Sequence, residues 1–130
     1  MKIIIIAVAV CILTGCSTTG VENSQWTSCT AIDQPTGKAT DYLNLNGLLM
    51  EWSSARNGFG YLYLSAPPLL DDKVWTFPGR TATATSTLNP SIYVADGDVV
   101  TAVHISGRKF EIKIITQTDT YIKVNYREIK

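Results

Sequence analysis

The segment KFEIKIIT, residues 109–116, and the segment TYIKVNYREI, residues 120–129, decide the fold class. Apolar side chains alternate with polar ones in both: Phe110, Ile112 and Ile114 in the first, and Ile122, Val124 and Tyr126 in the second. Alternation with a period of two is typical of a β-strand that has one face in the core and the other in water. Ile115 breaks the alternation, which predicts a β-bulge at that point.

A third segment, DVVTAVHIS at residues 98–106, precedes these two and is joined to them by Ser106-Gly107-Arg108. Short polar links between alternating segments predict an antiparallel meander of three strands. On the first of these strands we expect four side chains to face the core, with His104 on the opposite side. The expected core residues are Val99, Thr101, Val103 and Ile105.

Three dipeptides upstream predict tight turns: Asn46-Gly47, Asn57-Gly58 and Asp96-Gly97. Each is flanked by apolar or alternating segments, as in a two-residue β-hairpin. Between the turns, no long segment keeps the 3.6-residue period of an amphipathic helix. The sequence therefore predicts one all-β domain over residues 26–130. We expect a small antiparallel β-sandwich or barrel built of hairpins, with a C-terminal meander.

The N-terminus carries a different pattern. Lys2 is followed by an apolar run from Ile3 to Leu13. A membrane-spanning helix needs about 20 apolar residues, whereas the apolar core of a secretory signal needs roughly 7 to 15. The run then ends on Leu13-Thr14-Gly15-Cys16, which resembles the lipobox of bacterial lipoproteins.

This resemblance implies that residues 1–15 are a signal peptide, that the chain is cut before Cys16, and that Cys16 is acylated and held in the membrane by its lipid. Residues 16–25 are polar and predict a flexible tether, whose nine residues after Cys16 span about 15–18 Å on average. In a Gram-negative host, the same resemblance implies that Ser17 after the cysteine, where there is no aspartate, favours the outer membrane. We therefore expect the domain to face the periplasm from a lipid anchor in that membrane.

The charge balance narrows the possible partners. The chain has 11 basic and 11 acidic side chains, and loss of residues 1–15 removes only Lys2. Nucleic-acid-binding domains cluster Lys and Arg, so this near-neutral balance argues against a nucleic-acid partner. It also argues against attachment to a membrane through a polybasic segment.

Residues able to support catalysis or metal binding are few. His104 is the only histidine, and no Gly-x-Ser-x-Gly turn or phosphate-binding loop is present. Zinc sites need several His, Cys or carboxylate ligands at suitable spacing, so we expect no metal and no cofactor. Cys29 is the only cysteine of the predicted domain, and we expect it to be buried or paired with another chain rather than catalytic. The sequence thus predicts a protein that is not an enzyme.

The best candidate for a binding surface surrounds residues 69–80. Its exposed apolar, aromatic and cationic side chains would be Leu69, Leu70, Trp75, Phe77 and Arg80, with Tyr61 and Tyr63 extending the patch from a neighbouring strand. A binding surface needs exposed apolar or aromatic anchors, and tryptophan, tyrosine and arginine are enriched among the residues that contribute most to binding energy. In the alternative interpretation, Trp75 and Phe77 cover one end of the core.

The predicted function is therefore a lipid-anchored, non-enzymatic binding module that recognises a protein or another envelope component. Inhibitors, immunity proteins and exclusion factors are examples of this class. The alternative is a structural accessory subunit of an envelope assembly, such as a secretion or pilus machine.

Overall fold

The computed structural model describes residues 25–32, 42–65, 73–83 and 90–130. Four of the predicted features lie outside these ranges: the signal peptide, Cys16, the tether up to residue 24, and the leucine pair Leu69 and Leu70. In the described part, no helix is long and apolar enough to cross a membrane.

The described residues form ten strands. They are β1 (Thr27–Ile32), β2 (Leu43–Leu45), β3 (Leu48–Met50), β4 (Trp52–Arg56), β5 (Phe59–Tyr63), β6 (Trp75–Thr76), β7 (Ser91–Ala95), β8 (Val99–His104), β9 (Lys109–Gln117) and β10 (Tyr121–Ile129). All pairings between them are antiparallel. The predicted all-β class is confirmed.

The strands make three sheets. The largest has five strands in the order β1-β10-β9-β8-β6, the second has three in the order β4-β5-β7, and β2 and β3 form a two-stranded hairpin. Apolar side chains from all three sheets meet in one core, which includes Trp52, Trp75 and Phe110 at 0–1% exposure. This arrangement is that of a small β-sandwich, so the five-stranded and three-stranded sheets each keep an outer face.

The predicted C-terminal meander is confirmed, because β8, β9 and β10 are neighbours in the five-stranded sheet. The β9–β10 register shifts between Ile114 and Thr116, which places the predicted bulge at Ile115. The alternating apolar residues of β9 and β10 all point into the core: Phe110, Ile112, Ile114, Ile122, Val124 and Tyr126.

The prediction of which β8 side chains face the core is wrong, because the buried positions are shifted by one residue. The four side chains expected in the core are outward-facing or exposed: Val99, Thr101, Val103 and Ile105. Val100 and Ala102 are buried instead, because they pair with the buried residues Ile112 and Phe110 of β9. Residues directly opposite each other in an antiparallel pair share a face, so the register of β9 decides which residues of β8 are buried.

The two Asn-Gly turns form the predicted hairpins, β2–β3 and β4–β5. At the first, Asn46 and Gly47 have φ of 54° and 95°, the positive values that a two-residue hairpin requires. The hairpin predicted at Asp96-Gly97 is wrong. The chain does turn there, but β7 belongs to the three-stranded sheet and β8 to the five-stranded one. Here only Gly97 has a positive φ, 89°, and the chain crosses between the sheets.

Gln117, at the end of β9, joins the two large sheets through its buried amide. Its Oε1 accepts a hydrogen bond from Trp52 Nε1 at 2.9 Å. Its Nε2 donates to the carbonyls of Gly58 and Val94 at 3.1 and 3.3 Å. A buried polar group that satisfies several partners fixes one relative position of the elements it joins. Gln117 therefore holds β4, β5 and β7 in a defined position over the larger sheet.

Candidate functional site

The outer side of the three-stranded sheet presents a cluster of aromatic side chains. In β5, Gly60 and Leu62 point inward, so Phe59, Tyr61 and Tyr63 point outward. Tyr93 of β7 lies directly opposite Tyr61 in the register of the two strands. We name the cluster formed by Phe59, Tyr61 and Tyr93 the aromatic face.

The rings of the aromatic face contact one another. Phe59 and Tyr93 are stacked, with centroids 5.2 Å apart and an interplanar angle of 16°. Tyr61 meets Tyr93 edge-on at 5.3 Å. Phe59 and Tyr93 remain 37% and 42% exposed despite these contacts. Exposed aromatic rings held by their neighbours lose little conformational freedom on binding, so they suit a site that buries apolar surface together with phenolic hydroxyls.

Arg80 lies at the edge of the aromatic face. Its Nη2 donates to the carbonyl oxygen of Tyr93 at 2.6 Å and lies 3.5 Å from Asp98 Oδ2. Asp98 Oδ2 also accepts the backbone N–H of Ala95 at 2.9 Å. Arg80 therefore ties the edge strand β7 to the turn that follows it, with its side chain 30% exposed.

The inner side of the same sheet is packed tightly beneath the rings. A Cβ at Gly60 would overlap the side-chain oxygen of Gln117 and the indole nitrogen of Trp52. Only glycine fits this position without displacing the hydrogen bond between them. The strand that carries Phe59 and Tyr61 thus approaches the core as closely as its backbone allows, which gives the aromatic face a rigid support.

The structure divides the residues predicted for the binding patch into two groups. Tyr61 and Tyr63 lie on the outward side of β5, and Arg80 contacts Tyr93 on the neighbouring strand. Trp75 and Phe77, at 0% and 5% exposure, belong to the core. Their burial matches the interpretation in which they cover one end of the core, and not the one in which they are exposed anchors.

The Trp75 side chain has a clear structural role. Its Nε1 donates to the backbone carbonyl of Leu49 at 2.8 Å, which links β6 to the β2–β3 hairpin. Its ring meets those of His104 and Phe110 edge-on, with centroids 4.9 and 5.8 Å away. A buried indole whose N–H is satisfied contributes both packing and a hydrogen bond to the fold.

Sequence reasoning missed Phe59 and Tyr93, although a signal for each was present. In FGYLY, Phe59 lies two residues before Tyr61, so both side chains point to the same outward side of the strand. In SIYVA the apolar Ile92 and Val94 flank Tyr93 and define the opposite face. The pattern within each segment does not reveal that β5 pairs with β7. These two strands are separated in the sequence by residues 64–90, and their pairing brings the rings together.

A polar pocket of about 410 Å³ lies where the chain enters the domain. Its lining residues are Gln25, Thr27, Asn46, Tyr126, Arg127, Glu128 and Lys130. Tyr126 Oη donates to Asn46 Oδ1 at 2.9 Å, and Asn46 Nδ2 donates to Glu128 Oε1 at 3.1 Å. Arg108 donates from Nε and Nη2 to the two Glu128 oxygens at 3.0 and 2.9 Å. These groups satisfy one another, so the network fixes the β2–β3 turn to β10.

Glu128 is the acidic side chain among the lining residues of this pocket, and its pKa is shifted. Its hydrogen bonds with Arg108, and then with Asn46, lower its pKa from 4.5 to about 2. The side chain is 24% exposed, and solvent therefore screens part of this interaction. The pair behaves as a partly solvated structural salt bridge that is intact at neutral pH.

His104 and Cys29 are two other side chains with reactive groups, and both contact neighbouring residues of the fold. His104 Nδ1 lies 2.8 Å from Ser106 Oγ and accepts the Ser106 backbone N–H at 3.1 Å. Burial, and then the nearby charge of Arg108, lower the His104 pKa, which favours the neutral ring. Burial raises the Cys29 pKa, which keeps its thiol protonated. Within the described ranges, no group of three His, Cys, Asp or Glu side chains is placed to hold a metal ion.

Among these features, the aromatic face is the one whose exposed groups suit the binding of a partner. Comparison of the chain with protein-family models, with curated proteins and with solved structures finds no match.

Proposed function

We propose that this chain is a lipid-anchored envelope protein that acts as a non-enzymatic binding module and docks its partner on the aromatic face. The lipobox-like segment ending at Cys16 supports the anchor, and Ser17 supports the outer membrane, facing the periplasm, as its place in a Gram-negative cell. The partner is a protein or another envelope component.

The observation that carries this proposal is the cluster in which the exposed rings of Phe59 and Tyr93 are stacked and Tyr61 meets Tyr93 edge-on. Tyrosine and arginine are enriched among the residues that contribute most to binding energy. Here Arg80 lies at the edge of the same cluster and is held by the backbone of Tyr93. The arrangement provides a pre-formed apolar centre with a polar margin, which is the usual composition of a protein interface.

Site-specific photo-cross-linking in intact cells tests the proposal. A photoreactive phenylalanine analogue at position 93 should give a discrete adduct with one partner. The matched control carries the analogue at Thr101, which points outward from the opposite sheet. An adduct from position 93 that is missing from position 101 supports the proposal. An identical adduct from both positions, or none from 93 and 59 in a correctly localised protein, contradicts it.

The partner identified in this way permits a quantitative test. Loss of a central aromatic anchor typically weakens binding by 2 kcal/mol or more, or about 30-fold. We expect Tyr93→Ala to weaken the partner's affinity by that amount. Because Tyr93 is already 42% exposed, the same change should alter unfolding free energy by no more than about 1 kcal/mol. Equal affinity of the variant and the unmodified protein would place the interface elsewhere.

A further inference from the structure

The outer face of the five-stranded sheet carries an excess of positive charge. Outward-facing side chains of β9 and β10 include four cations and one acid: Lys109, Lys113, Lys123, Arg127 and Glu111. We name this surface the basic face. Glu111 lies opposite Arg127 in the register and accepts a hydrogen bond from its Nε at 2.8 Å. Glu111 therefore neutralises Arg127, and the three lysines provide the net charge.

Lys109, Lys113 and Lys123 are all exposed, and among the described residues none of them forms an ion pair. The near-zero net charge of the whole chain conceals this local excess, because the compensating acids lie elsewhere. Asp96, Asp98 and Asp119, for example, all lie at turns. The net charge describes the chain as a whole. The electrostatic attraction between a protein and a flat charged surface depends instead on the charges of the face that is turned toward that surface.

The chain enters the domain at the edge of this same sheet. Gln25 and Trp26 immediately precede β1, and Thr27 of β1 pairs with Tyr126 of β10. The ring of Trp26, 37% exposed, lies under the Arg127 guanidinium with the Cζ atom 4.3 Å from its centroid. Nine residues separate Cys16 from this edge in the sequence, and a flexible chain of that length spans about 15–18 Å on average. Tryptophan beside cationic side chains is also typical of the membrane–water interface.

We propose that the basic face lies against an anionic lipid headgroup surface, that of the membrane which holds the chain. This inference rests on the proposed lipid anchor at Cys16 and adds an orientation to it. The three exposed lysines of β9 and β10 supply complementary charge, and the proposed tether delivers the adjacent sheet edge to the headgroups. The aromatic face is on the opposite outer side of the sandwich, so it points away from the membrane toward its partner.

Each lysine close to an anionic bilayer strengthens association by about fivefold, and the effect declines within a Debye length of about 8–10 Å. Without the anchor, three lysines give weak and salt-dependent association. On a domain already held near the surface by acyl chains, the same interaction selects which face is turned toward the lipid. The lipid supplies the affinity and the basic face supplies the orientation.

Lysine labelling on vesicles tests the orientation. The mature acylated protein is reconstituted into vesicles of phosphatidylcholine alone or with 30% phosphatidylglycerol, and acetylation by a water-soluble reagent is followed at each lysine by mass spectrometry. We expect Lys109, Lys113 and Lys123 to react at least threefold more slowly on the anionic vesicles, while the exposed Lys73 is unchanged. High salt should abolish the difference. Equal rates on the two vesicle types overturn the proposal.

A charge-reversal variant provides the matched comparison. Lys113→Glu combined with Lys123→Glu should remove the protection of Lys109 on anionic vesicles. Arg56→Glu, at an exposed residue of the three-stranded sheet, should leave that protection intact. Loss of protection in both variants, or in neither, contradicts the assignment of the basic face. Protection in isolated envelopes that is missing on anionic vesicles would identify another polyanion and overturn the proposal as well.

Failure of the anchor and failure of the orientation give different results. The intact mass of the purified protein reports acylation of Cys16, and flotation with neutral vesicles reports its anchoring. An unacylated protein that does not float contradicts the proposed lipid anchor. An acylated protein that floats but shows no dependence of lysine protection on phosphatidylglycerol contradicts only the orientation.

Discussion

Replacement of Gln117 by leucine should destabilise the domain by separating its two large sheets at a single buried contact. Leucine has about the size of glutamine but lacks the oxygen that accepts the hydrogen bond from Trp52 Nε1. Trp52 is only 1% exposed, so its indole N–H is buried. The carbonyl of Gly58 keeps a bond from the Asp96 N–H at 3.3 Å. The buried indole N–H loses its acceptor, and the Val94 carbonyl loses the bond from the Gln117 amide. A buried donor without a partner costs about 1–3 kcal/mol. We expect a loss of about 2 kcal/mol in unfolding free energy.

A double-mutant cycle isolates this contact from the change in packing. Trp52→Phe removes the donor, so Gln117→Leu should cost less in that background than in the unmodified protein. We expect a coupling of about 1–2 kcal/mol between the two positions. The measurement is urea unfolding of a soluble form starting at Ser17, monitored by circular dichroism. Additive effects, or a Gln117→Leu protein as stable as the unmodified one, would refute the assigned role of Gln117.

Four further outcomes are expected. Trp75→Ala should lower unfolding free energy by about 3–5 kcal/mol, because its side chain is fully buried; a change under 0.5 kcal/mol in urea unfolding would contradict a core role. Gly60→Ala should cost about 1–3 kcal/mol through overlap beneath the aromatic face, measurable as a lower Tm. The pKa of Glu128 is about 2 in the folded protein and lies below its unfolded value. The contribution of ionised Glu128 to the free energy of unfolding is therefore complete above pH 4.5 and is lost as the pH falls toward 2. Glu128→Gln should abolish that part of the pH dependence of the urea midpoint. Cys16→Ala should abolish acylation in intact-mass measurements and leave the N-terminal signal uncut, whereas an unmodified mature wild-type protein in the soluble fraction would exclude the lipid anchor.

The C-terminal strands could be predicted because their chemistry is unambiguous. In β9, every inward residue from Phe110 to Ile114 is apolar and the residues between them are charged, so only one register buries the apolar set. In β8, valines occur on both faces of the strand, so the alternation pattern alone does not show whether Val99 or Val100 points into the core. The pairing with β9 decides between them, and it places the small Ala102 opposite the large Phe110.

The candidate site was only partly predictable for a related reason. Trp75 and Arg80 are close in sequence and both are typical of binding surfaces, yet one is buried and the other lies beside Tyr93. The difference arises from tertiary pairing: β6 adds to the edge of the five-stranded sheet, whereas Arg80 reaches the edge of the three-stranded one. Residue type predicts the capacity to bind, and burial decides whether that capacity is available.

The pairing of β1 with β10 has a consequence for how the domain assembles. Thr27 and Tyr126 are 99 residues apart, whereas the β9–β10 hairpin closes through a short turn. Contacts between distant segments form late, since their loop-closure entropy is recovered only after the intervening structure is in place. During that interval the outer edge of β10 is open, and β1 is unpaired. For a chain anchored as proposed, a neighbouring copy on the same membrane would compete for the vacant edge, and exchange of β1 between two copies would anchor each domain through the other's lipid.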